Sequence, residues 1–149
     1  MSSIRVRQAL SADIDALARL FDDYRCFYNK ASDLPAARQF LQDRLSRGES
    51  TLFIAHDGQE ALGFTQLYPS FSSVSLARVY ILNDLFVVQG HRRTGVGREL
   101  LLAATEFAKA QGAVRVSLNT DIRNLQAKQT YEALGWKRDL EFQAYHFKP

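Results

Sequence analysis

The chain has 149 residues, 46% of them hydrophobic, with a formal net charge of +3 and one cysteine. That length and apolar content suit one packed domain over residues 1–149 and exclude a disordered or low-complexity polymer. The mild basic excess falls short of the clustered charge of a nucleic-acid binder, and a lone Cys26 excludes an intramolecular disulfide or a cysteine zinc site.

No apolar signal core follows Met1, and no apolar run approaches the ~20 residues of a membrane span. The expectation is a cytoplasmic protein with no membrane and no nucleic-acid partner. Cys26, between Arg25 and Phe27 on a predicted helix, reads as a small buried residue.

Ile4 to Arg7 alternates apolar and basic residues and predicts a strand, after which Ser11 or Asp13 can cap a helix carrying Ile14, Leu17, Leu20 and Phe21. Pro35 suits the first turn of a second helix, with Phe40, Leu41 and Leu45 at helical spacing and Gly48 as its stop. Thr51 to Ala55 and Ala61 to Tyr68 are β-rich runs joined through His56-Asp57-Gly58-Gln59, and Asp-Gly predicts an antiparallel hairpin. Ser70 to Ser75 reads as a serine-rich connection. Val79 to Val88, the most apolar stretch, reads as a central strand interrupted only by Asn83 and Asp84.

A basic loop, Gly90 to Thr94, leads into a helix whose Val96, Leu100, Ala103, Ala104 and Phe107 trace one face and which ends near Gly112. Val114, Val116 and Leu118 alternate along a further strand, which should run parallel to the one before the helix. Asn124 to Leu134 predicts a short helix closed by Gly135, and Trp136 to Leu140 and Phe142 to Phe147 supply the last strands. The order is that of an α/β domain with a mixed sheet.

Gly95 and Gly97 let the backbone turn sharply and approach a ligand closely at a helix start, where free N–H groups and the helix dipole favour an anion. Arg92, Arg93 and Arg98 crowd the same positive end, each at a cost on the order of 0.3–1 kcal/mol unless an anion is bound there. Leu100 stands where a dinucleotide fingerprint has its third glycine, and no Gly-Lys-Ser or Gly-Lys-Thr follows, so the phosphate belongs to some other ligand.

Arg92-x-x-Gly95-x-Gly97, following Leu85-Phe86-Val87-Val88 and opening a helix, resembles the cofactor motif of the GNAT acetyltransferases. Asn124-x-x-Ala127-x-x-x-Tyr131-x-x-x-Gly135-Trp136 is similar to the family's second cofactor and acid motif, and Ile4 to Asp13 to its opening strand and helix. The resemblance implies a GNAT fold: a mixed, mostly antiparallel sheet with a splayed parallel central pair and flanking helices. It implies acetyl-CoA as acetyl donor and no metal. The pyrophosphate would rest on the backbone of Thr94, Gly95, Val96 and Gly97, with charge from Arg92, Arg93 and Arg98, and the pantetheine arm would pair with Leu85, Phe86, Val87 and Val88. Asn124 and Ala127 would face the pantetheine, and Tyr131 would protonate the departing thiolate. A homodimer through the last strands is also implied.

The attacking amine must lose a proton, so a base or water relay is required. Tyr80 to Val87 is especially similar to polyamine acetyltransferases, which carry a glutamate at the place of Asn83; asparagine cannot act as that base, which leaves Asp84, directly or through water. Successive strand residues face opposite sides, so Asp84 need not inherit the role. Tyr24, Phe27, Tyr28 and Tyr68 are candidates to line the acceptor pocket. The acceptor is open among a polyamine, an amino acid or other small amine, and a peptide or protein amine. The competing reading is an acyl-CoA-binding sensor with weak turnover.

Overall fold

Residues 3–149 are described by a computed structural model, in which the first alternating run forms strand β1 (Ile4–Gln8). Arg7 makes a bidentate pair with Asp13 at 2.7 and 2.8 Å, and Asp13 also accepts from the Leu10 N–H. Asp13 therefore ties the turn back to β1 and makes no side-chain cap on the helix that follows, α1 (Ile14–Phe27), contrary to expectation. Helix α2 (Leu34–Ser46) starts on Asp33, whose side chain accepts from the Ala36 N–H, with Pro35 in its first turn as predicted.

β2 (Thr51–Asp57) and β3 (Glu60–Ser72) form the expected antiparallel hairpin across Gly58 and Gln59. β3 then continues through the serines read as a connection: Ser70, Phe71 and Ser72 pair with Val79, Arg78 and Ala77 of β4 (Ala77–Val87), so the turn shrinks to residues 73–76. A ladder partner outweighs the weak strand propensity of serine. α3 (Val96–Ala110) crosses back, and β5 (Val116–Ser117) pairs parallel with Tyr80 and Ile81. The sheet order is β1-β2-β3-β4-β5, antiparallel except for the last pair.

On one face of the sheet, Leu17, Leu20 and Phe21 of α1 and Ala37 and Leu41 of α2 bury against Leu52, Ile54 and Phe64. On the other, α3 buries Val96, Leu100, Leu101, Ala104 and Ala108, while Phe53 and Tyr80 meet the edge of its Phe107 ring. Each fully buried leucine contributes roughly 1.5–3 kcal/mol by leaving water. Gly63 lets β3 and β4 close up beneath α3: a Cβ there would meet the Phe86 carbonyl oxygen at 2.5 Å. Cys26, expected to be buried, is exposed. It lies nine residues beyond buried Leu17, half a turn out of phase, on the solvent side of α1.

The chain divides into one compact unit ending at Leu118 and a second spanning Asn119–Pro149. The second contains helix α4 (Leu125–Ala133), closed as predicted by Gly135, with the Trp136 N–H bonded to the Tyr131 carbonyl at 3.0 Å. The strands predicted over Trp136 to Leu140 and Phe142 to Phe147 do not form. Asp139 makes the turn between them, accepting from Glu141 and Phe142, but Phe142, Tyr145 and Phe147 are 77–88% exposed.

Candidate active site

β4 carries an irregularity that no alternation pattern reveals. Gln66 pairs with Asp84 while Leu67 pairs with Leu82, so Asn83 is an extra residue, a β-bulge. Up to the bulge, Tyr80 faces α3; beyond it, Phe86 faces α1, its ring 6.1 Å from that of Tyr24. One inserted residue reverses the pleat, and Asp84 turns to the α1–α2 face, where regular pairing would have pointed it at α3.

There Asp84 is 4% exposed. Gln66 Nε2 donates to its Oδ2 at 2.6 Å, Asn83 Nδ2 donates to its Oδ1 at 3.1 Å, and Gln66 is itself held by Ser50 Oγ at 2.6 Å. The Tyr24 hydroxyl donates a long bond of 3.4 Å to the Asn83 carbonyl and also supports the Asp84 carboxylate. Among the described residues no cation pairs with Asp84. Burial raises its pKa above the usual carboxylate range, opposed by the bonds from Gln66, Tyr24 and Asn83. Burial likewise raises the Tyr24 hydroxyl, and pushes Tyr68 up to about 12, so both stay protonated near neutral pH.

Asn83 and Asp84 line the floor of an open cavity of about 520 Å³ between the sheet and the α1–α2 helices. Phe21, Tyr24, Tyr28, Phe40 and Tyr68 form its walls, with Ala36 and Ala37 at the start of α2 and Arg25 and Lys30 completing the lining. Phe27 is not part of that lining: it is 60% exposed and packs on Tyr28 and under the Arg92 guanidinium. α1 turns a new residue every 100°, which separates Phe27 from the face shared by Tyr24 and Tyr28.

Past Ile81 the β4 edge that faces β5 has no ladder, because β5 pairs only with Tyr80 and Ile81. Leu85, Phe86, Val87 and Val88 follow along that strand; on the opposite edge β3 continues to pair through Val87, and the Val88 N–H bonds to the Leu62 carbonyl. Arg92 folds back so that its Nε donates to the Val87 carbonyl at 2.9 Å, with the guanidinium over the Phe27 and Phe86 rings. Arg92 thus braces the loop while keeping its charge exposed. Thr94 Oγ1 bonds to the His91 carbonyl, Arg93 has φ 65°, and Gly95 takes φ 92° as the N-cap of α3. No side chain caps α3, so its first N–H groups, from Val96 through Gly97 and Arg98, have no side-chain acceptor at the cap. A Cβ on Gly97 would meet only a Val87 methyl at 3.8 Å, so its own surroundings do not demand glycine.

In the second unit Asn124 caps α4, its Oδ1 accepting from the Ala127 N–H at 3.1 Å. Tyr131 is half-buried, its ring 6.0 Å from that of Trp136.

Residues 17–136 match the model of the acetyltransferase (GNAT) family. The chain belongs to the GNAT family of acetyltransferases. It is 48% identical over 142 residues to the uncharacterised N-acetyltransferase YhfO of Bacillus subtilis, covering 95% of both proteins. Its structure superposes on the crystal structure of a probable acetyltransferase with a TM-score of 0.92 at 43% identity, over 97% of each chain. The aminoglycoside N-acetyltransferase AAC(6')-Iy in complex with CoA has the same fold, with a TM-score of 0.82 at 19% identity, over 100% of this chain and 97% of that one. The five-stranded mixed sheet with its short parallel β4–β5 pair and flanking helices is the GNAT fold.

Within this GNAT chain, the fold brings Tyr24, Tyr28, Tyr68 and Asp84 around one cavity and leaves Phe27 outside it. Sequence reasoning passed over Gln66, which holds Asp84, and Arg25 and Lys30. Gln66 did carry a signal: it is a lone amide in the apolar run Ala61 to Tyr68. Arg25 and Lys30 carried none, because a charged residue near a helix end is ordinarily a solvated one.

Proposed function

We propose that this GNAT acetyltransferase moves the acetyl group of acetyl-CoA directly onto a primary amine, of a small molecule or a peptide, held in the α1–α2 cavity. Asp84 carries the reading. A buried carboxylate in a cavity with no cationic partner among the described residues is costly to the fold, and a bound ammonium group offsets that cost. Its raised pKa is the direction a base needs to take a proton from an ammonium group near neutral pH. Asp84 accepts that proton, directly or through one water, and frees the lone pair for attack. Tyr24, protonated and adjacent, keeps the carboxylate oriented without competing for the proton.

Acetyl-CoA supplies an activated thioester. The open edge of β4, the uncapped start of α3 and the exposed arginines around it support its placement, as does the CoA complex of a protein with this fold. The backbone of Thr94, Gly95, Val96 and Gly97, with Arg92, Arg93 and Arg98, would hold the pyrophosphate, and Leu85 to Val88 would present the strand edge to the pantetheine arm. From the motif, Asn124 and Ala127 take a place along that arm and Tyr131 gives its phenolic proton to the departing sulfur.

Release of thiol from acetyl-CoA, followed over amino acids, polyamines, aminoglycosides and lysine peptides, tests this function. Turnover with at least one amine is expected. Calorimetry in which folded protein does not bind acetyl-CoA would overturn the donor assignment.

A further inference from the structure

The charges around the cavity are sorted by depth. Asp84 sits at the floor and is buried, whereas Arg25 is half-buried and Lys30 exposed. Between floor and rim the lining is aromatic and apolar: Phe21, Tyr24, Tyr28, Phe40 and Tyr68. Neither Arg25 nor Lys30 has an ion-pair partner within 4 Å among the described residues. Asp22 is the acid whose field reaches Arg25, but its two oxygens are committed to Ser32 Oγ at 2.6 Å and the Asp33 N–H at 2.8 Å. Those bonds pin the α1–α2 connection that carries Lys30. Arg44, behind Phe40, adds no free charge because it pairs with Glu49 at 3.1 Å.

We infer that the acceptor is a compact amine that also carries an anionic group, with an apolar body between the two. This inference rests on the function proposed above. The ammonium end goes to Asp84, the anion to the guanidinium of Arg25 and the ammonium of Lys30, and the apolar body to the aromatic walls. An ω-amino acid with an apolar chain and a phosphorylated aminoalkyl compound share this chemistry. A polyamine or an aminoglycoside does not: each would bring further cations against Arg25 and Lys30, and like charges placed together in a partly enclosed site repel strongly.

The test compares matched amines with the whole protein: aminomethylbenzoate against benzylamine, and aminohexyl phosphate against aminohexanol, with spermidine and kanamycin as polycations. In at least one pair the anionic member should have a kcat/KM about tenfold or more above its partner, the scale of a charge-assisted hydrogen bond, and the pair that responds identifies the anion. The double variant Arg25→Gln, Lys30→Gln should raise KM for the anionic acceptor about tenfold while KM for acetyl-CoA stays within about twofold; Arg25→Lys should retain most of the preference. A thermal melt of each variant separates misfolding from lost recognition. Better turnover of the acid-free amines or of spermidine, discrimination that survives the double variant, or a rise in the acetyl-CoA KM would each overturn the inference. If no amine is acetylated the inference also falls, and acetyl-CoA binding by calorimetry then shows whether the proposed function falls with it.

Discussion

The two faces of the sheet are made by the same strands and do opposite work. Against α3 the strands present packing groups, Phe53 and Tyr80 around Phe107, and the helix closes them with Leu100, Leu101 and Ala104. Against α1 and α2 the same strands begin as apolar core at Leu52, Ile54 and Phe64, then open into a cavity with a buried carboxylate on its floor. The difference comes from one residue. Asn83 shifts the register, and beyond it β4 turns to the cavity what regular pairing would have turned to α3.

The sharpest way to break this contrast is to remove the carboxylate that sets the cavity face apart.

Asp84→Asn leaves the bulge and removes only the carboxylate proposed as base, so kcat/KM should drop about 100-fold or more, with loss of the acid limb of the pH–rate profile. A stability effect of defined sign accompanies it. The folded pKa of Asp84 lies above its unfolded value, so between the two the native state holds more protons and stability declines as pH rises. Denaturation at a series of pH values should show wild type losing stability relative to Asp84→Asn across that window, and no further beyond it.

Gly97→Ala probes the donor end instead. The new methyl has room in the protein and sits in the first turn of a helix, so the melting temperature should hold or rise slightly. Acetyl-CoA affinity should fall about tenfold by calorimetry if a ligand passes over this position. Equal affinity would place the pyrophosphate elsewhere. The smallest effect is expected for Gln66→Ala: loss of its bond to Asp84 moves the acid limb of the pH–rate profile to higher pH, with only a few-fold change in the plateau rate.

The glycine motif that marks the family is local in sequence: Gly95 takes the left-handed conformation at the start of α3 that its residue type favours, whereas the positive φ of Arg93 follows from no residue preference. The acceptor cavity draws on α1, the loop after it, the start of α2, β3 and β4, and no short window of sequence contains it. Phe27 is an aromatic candidate like Tyr24 and Tyr28, but helix rotation sets it apart from them and puts it under Arg92. The last strands were expected from alternation of apolar residues, which is a local pattern and does not supply the partner that a ladder needs.

Hydrophobic periodicity, Asp57-Gly58 and the two motifs by themselves determined the element order as far as α4, the mixed sheet and the family, because each depends on residues close in sequence. The tertiary structure decided which face Asp84 occupies, that Gln66 holds it there, and that Arg25 and Lys30 stand over the same cavity. Strand register and helix rotation set those relations, and both are fixed by packing between segments far apart in the chain.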